Sequence, residues 1–321
     1  MSKELITRPR LIGSLCLSAA LVGGLATLAL QASRRATAER HERSARFVVT
    51  VGGVAYVRLT RLGEDELPVW RRQTVVDGGV TFAVAEVEQE AVPAAALAWR
   101  GATVIADETC RATAGEVVVI SHVAALGYDS ADTRRTRVHV EEYGERFLAV
   151  RLDGCAGAEL AREATAPRII YPEVLSASRL QAAAEHALLA SPAAAAAERE
   201  WAEFDQETSW RAQLKLDVRV LRHPTTGATT VVAFAINDVQ KCVTPRHALL
   251  GVFAVSADGE LVPGPVRAVD QLRRLERVLD LDGDGAFELT GRPWQGMDRL
   301  WLDGAGNVLE RLDLPFYGSP C

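Results

Sequence analysis

Lysine is almost missing from this 321-residue chain: Lys3, Lys215 and Lys241 are the only three, and arginine carries the rest of the basic charge. Such arginine and alanine enrichment reflects base composition and carries no function. Neither sign of charge dominates. The 36 basic and 42 acidic side chains leave a net charge of −6, which indicates neither a nucleic-acid footprint nor a polybasic surface. Recognised catalytic signatures are missing too. The chain has no G-x-S-x-G elbow, no H-E-x-x-H, no G-x-x-x-x-G-K-[ST] and no G-x-G-x-x-G opening a helix. No two of His41, His122, His139, His186, His223 and His247 stand at metal-ligand spacing. His139 shares a strand face with Glu141 and reads as part of a solvated face. His122, in a valine-rich run, reads as a buried, hydrogen-bonded histidine. Acids such as Asp129 and Asp132 could meet distant carboxylates only in the fold, and nothing in the sequence selects them for glycoside chemistry. No C-x-x-C exists, which removes a redox motif and a zinc knuckle.

What is present centres on residues 280–289, D-L-D-G-D-G-A-F-E-L. A loop that curls around a hard cation needs oxygen ligands at positions one, three and five, a backbone carbonyl at seven and a further acid near nine. Asp280, Asp282, Asp284, the carbonyl of Ala286 and Glu288 fit that spacing. Gly283 and Gly285 permit the tight turn. Four carboxylates in nine residues repel one another, and a divalent cation relieves that repulsion. Calcium suits an all-protein oxygen cage better than magnesium, which retains its waters, and zinc has no Cys or His here. The alternative is an acidic solvated turn that holds no ion.

An EF-hand needs an acid at position twelve, where this chain has Gly291, and Pro293 with apolar flanks at 278–279 and 287–289 favours strands over helices. Over about ten residues the stretch resembles the D-x-D-G-D-G-x-x-E loop of the FG-GAP/VCBS class. That resemblance implies structural calcium in a strand–loop–strand hairpin of an exported β protein. Propellers in that class carry repeats, and a single copy here argues against one.

Residues 1–32 read as a targeting segment. Lys3, Arg8 and Arg10 precede an uncharged apolar run over residues 11–30, long enough to span a bilayer. An uncleaved anchor in the membrane and a signal peptide cleaved near Ala32 both remain open. Either leaves the N-terminus cytoplasmic and exports the rest to the periplasm or beyond. Cys110, Cys155, Cys242 and Cys321 remain after Cys16, and an even number in an exported chain favours disulfides. Three pairings are open. Cys110–Cys155 and Cys242–Cys321 are preferred because each closes a loop within one β region.

Residues 33–45 read as a linker. Gly52-Gly53, Asp77-Gly78-Gly79 and Tyr143-Gly144 punctuate short β runs and predict hairpins through an N-terminal β domain at 46–170. Residues 171–210 change to helical spacing, with Ser191-Pro192 opening a second helix, and read as a partly exposed connector. Strand patterns return over 211–321, with the acidic loop as a hairpin connection and Trp294 and Trp301 packed beneath it. The expected fold class is mainly β with a helical connector: two sandwich or barrel-like β domains. The expected function is a calcium-stabilised binding or structural protein of a bacterial envelope, anchored or periplasmic, with an envelope protein as possible partner and no nucleic acid. The alternative is a secreted hydrolase with structural calcium and dispersed catalytic residues. A subunit of a larger membrane complex is a third reading, resting on the long apolar run.

Overall fold

Short valine-rich strands broken by glycine turns dictate the architecture, and a computed structural model gives it in detail. The structure describes residues 45–62, 69–77, 80–122, 146–204, 208–237, 247–269, 272–293 and 299–312. The targeting segment, Cys242, Cys321, His139, Asp129, Asp132 and Trp294 lie outside them. Among the described residues no helix is long and apolar enough to cross a membrane.

The first half supplies strands β1 (Arg46–Val51), β2 (Val54–Leu62), β3 (Val69–Asp77), β4 (Val80–Val87), β5 (Thr103–Ala106), β6 (Cys110–His122), β7 (Arg146–Leu152) and β8 (Leu160–Glu163). Six of them close a barrel in the order β1-β2-β7-β6-β5-β8, and the β3–β4 hairpin extends it from β6. Alternation decides the two faces. Val48, Val57, Val104, Val119, Leu148 and Val150 fill the interior, with Trp99 just after the short helix α1 (Ala94–Leu97) packed among them. Phe47, Val49, Ile120 and Phe147 point outward into a second core. At the β1–β2 turn Gly52 has φ +59°, and a Cβ there would meet Val75 Cγ1 at 2.6 Å, so the β3–β4 hairpin can fold close over it.

The second half begins with β9 (Glu173–Leu175), α2 (Ser178–Leu189) and α3 (Pro192–Phe204). It continues with β10 (Leu214–Arg222), β11 (Thr229–Asn237), β12 (Ala248–Ala254) and β13 (Val266–Ala268), which join β9 in a five-stranded antiparallel sheet. A four-stranded sheet follows, from β14 (Leu272–Leu279), β15 (Glu288–Pro293), β16 (Arg299–Leu302) and β17 (Val308–Leu312). Leu221, Val232, Phe234 and Leu250 of the five-stranded sheet pack on Leu275, Val278, Leu289 and Leu300 of the four-stranded one. The latter's opposite face sends Leu279, Trp301 and Leu312 against the outside of the barrel. Trp301 stacks on Phe47 with ring centroids 4.4 Å apart, in the core as its sequence position suggests.

The apolar faces of the helices decide where they lie. Ala184, Leu188, Ala194, Ala197 and Trp201 are buried against Val220, Val231, Ala233 and Leu249 of the five-stranded sheet. They form an outer layer of that sheet, with small alanines turned to its surface and the remaining helix positions partly or fully exposed. The described residues from Ala45 onward form one compact unit, with no break at 171–210. The helix opening does follow the sequence: Ser191 Oγ accepts the Ala194 N–H at 3.1 Å, an N-cap ahead of Pro192.

Candidate metal centre

The loop between β14 and β15 folds around its own first carboxylate. Asp280 is fully buried. Its Oδ1 accepts the N–H groups of Asp282 at 3.2 Å and Gly283 at 2.6 Å, and its Oδ2 accepts that of Gly285 at 2.9 Å. Gly283 and Gly285 adopt φ +76° and +89°, the left-handed conformation that turns these amides inward. Asp282 repeats the device on the Asp284 N–H at 3.1 Å, and Asp284 on the Ala286 N–H at 2.8 Å. Glu288, also buried, accepts the Leu281 N–H at 2.9 Å and ties the end of the loop to its beginning. Asp284 and Ala286 are exposed.

Three of the five residues that the spacing selects converge. Asp280, Asp282 and Asp284 each offer a carboxylate oxygen, and the three oxygens lie within 4.8 Å of one another. Oxygens gathered that closely could share one metal ion. Glu288 stands outside that carboxylate cluster and accepts the Leu281 N–H, while Ala286 offers its N–H to Asp284. Position twelve has no room for a ligand. A Cβ on Gly291 would run into Leu272 Cδ1 and stand 2.6 Å from the Arg274 carbonyl, which rules out EF-hand closure.

Sequence reasoning missed one member of the site. His223, in the β10–β11 turn, is 1% exposed and places Nε2 3.0 Å from Asp280 Oδ2. Its Nδ1 accepts the Thr225 and Thr226 N–H groups at 3.2 Å, so the ring proton sits on Nε2 and is donated to the carboxylate. The ring lies over Phe287, with centroids 5.2 Å apart. Nothing local marks this histidine, because it stands 57 residues before its partner.

The loop is also set into the molecule. Asp280 pairs through its backbone with Ile170, by hydrogen bonds of 2.8 and 2.9 Å, and Leu281 is buried in the core shared with the barrel. Asp280 thus touches the turn of one sheet and the segment leaving the barrel while it begins the loop of another sheet.

Elsewhere the chemistry is that of fastening. Cys110 and Cys155 form a disulfide with Cα atoms 5.7 Å apart, as preferred from the sequence. Asp107 and Glu108, both at positive φ in the β5–β6 turn, clamp β8 and the chain on either side of it. Asp107 accepts the Glu159 and Leu160 N–H groups at 3.1 and 3.2 Å. Glu108 binds Arg162 at 2.5 and 2.8 Å, Arg168 at 3.2 Å and the Ile169 N–H at 3.2 Å. Burial raises the Glu108 pKa, but the Arg162 hydrogen bond, the Ile169 amide and the neighbouring positive charge outweigh it and hold the carboxyl below its ordinary value. A groove of about 290 Å³ between α2 and residues 260–263 is lined by small apolar side chains and the Arg179–Glu260 ion pair. No family model, curated protein or solved structure matches the chain.

Proposed function

We infer that this chain is an exported protein of a bacterial envelope, anchored or periplasmic, whose fold is stabilised by one calcium ion in the β14–β15 loop. Its work is binding or assembly through its β surfaces. The observation that carries the ion assignment is the convergence of Asp280, Asp282 and Asp284 oxygens within 4.8 Å, two of the three side chains being buried. Carboxylates gathered in that way repel one another unless a cation or protons compensate them. The donor set is all oxygen, which favours a hard cation. The resemblance to the FG-GAP/VCBS loop supports the same ion.

Export is supported by the basic-then-apolar opening of the sequence and by the Cys110–Cys155 disulfide, since such bonds persist in oxidising compartments. Calorimetric titration of the metal-stripped chain with calcium chloride tests the ion. A single saturable site, lost in Asp284→Ala, supports the reading. An absence of binding heat together with an unchanged intrinsic fluorescence overturns it. Turnover of ester, peptide or glycan substrates by the purified chain would displace the binding role in favour of a hydrolase.

A further inference from the structure

The five-stranded sheet ends on one side at β9, which covers only Val220, Leu221 and Arg222 of the longer β10. Among the described residues no strand pairs with residues 214–219 on that side. Two contacts fix which groups face this edge. The Val218 carbonyl accepts the Gln181 side-chain amide at 3.3 Å, whereas the His223 N–H bonds Ala228 on the β11 side. Even-numbered residues of β10 therefore turn their N–H and C=O groups outward, and Leu214 and Leu216 follow Val218 at period two.

An open strand edge is a template for another strand, and this one is apolar. Six large hydrophobic side chains are exposed among the described residues. One of them, Leu216 at 39% on β10, lies in this open stretch, between the half-buried Leu214 and Val218. The strand is also its own complement. Read antiparallel about Leu216, the segment L-K-L-D-V sets Leu216 opposite Leu216, Leu214 opposite Val218 and Lys215 opposite Asp217. Both charge pairs formed by the two-fold are of opposite sign. Arg219 binds Asp217 at 3.0 and 2.5 Å within its own chain and holds that carboxylate on the face where Lys215 of the second copy arrives.

We propose that two copies of this chain associate edge to edge through β10, antiparallel about a two-fold axis at Leu216, joining their five-stranded sheets into one. The interface is isologous, so each half of the strand meets the other half. Leu214 N–H of the second copy takes the Val218 carbonyl in place of the single Gln181 contact. A pairing of five residues is small beside the roughly 1,200–2,000 Å² of a standard interface, so the association is weak and concentration-dependent.

Disulfide trapping suits a weak dimer. Residues facing each other in a hydrogen-bonded antiparallel pair have Cα atoms about 5.5 Å apart, inside the range a disulfide bridges. Leu216→Cys in the full chain, oxidised at high micromolar concentration, should give a covalent dimer. Val308→Cys and Val262→Cys, at least as exposed, should not. Lys215→Glu or Asp217→Lys added to Leu216→Cys should cut the trapped fraction roughly tenfold by setting like charges opposite, and the two reversals together should restore it. Equal trapping at all three cysteine positions overturns the proposal. So does a trapped fraction that ignores both single reversals.

Discussion

Two aspartates of the acidic loop do different work. Asp280 is buried and accepts three backbone N–H groups and the His223 ring proton. Asp284 is exposed and accepts the Ala286 N–H. Asp280→Ala should therefore destabilise the chain even in chelator, by about 3 kcal/mol, because it strands buried donors. Asp284→Ala should remove the calcium-dependent part of the stability and leave the chelator value nearly unchanged. Melting curves of both variants in the two conditions separate the roles, and equal behaviour would show that Asp284 is no ligand. Glu108 gives a second residue-scale outcome. Its folded pKa is held below 4.5, so its stabilising contribution is complete above the unfolded-state pKa and is lost as pH falls through the folded one. Glu108→Gln should flatten the acid limb of the stability–pH profile while the neutral limb drops. An acid limb of unchanged steepness would contradict the clamp. The aspartate cluster is legible in the sequence because its members are local, at alternate positions. His223 and the Glu108–Arg162 pair are not, since both join residues more than fifty positions apart.

Elements were legible where their signal is short-range. The β1–β2 turn at Gly52-Gly53, the β3–β4 and β10–β11 hairpins and the Ser191 cap of α3 all follow from residues within a few positions of one another. Ser191→Ala should cost about 1 kcal/mol through loss of that cap, read by chemical denaturation. A variant as stable as the parent would show that Pro192 alone sets the helix start. Where α2 and α3 lie was not legible. An alanine run gives helix propensity without showing what it packs on, and the covering face became visible only with Trp201, Val231 and Leu249 brought together. Barrel closure was equally hidden, because it depends on β1 pairing with β8 more than a hundred residues away.

At the scale of the molecule, four layers succeed one another: helices, five-stranded sheet, four-stranded sheet and barrel. The Cys110–Cys155 bridge closes a loop of 45 residues on the barrel. Chain-entropy reasoning assigns such a loop about 4 kcal/mol, and Cys110→Ser should lose a similar amount. Equal stability of parent and variant would mean the bridge constrains nothing. The acidic loop sits where three of the layers meet, through Ile170, His223 and Leu281. An ion there would strengthen the whole unit together, so unfolding should stay a single transition in both conditions. The most direct measurement is a thermal scan of the chain in calcium and then in excess chelator. The account predicts a higher midpoint in calcium, equivalent to about 2.7 kcal/mol when the free ion stands a hundredfold above its dissociation constant. Superimposable curves would contradict it and leave the loop an acidic turn.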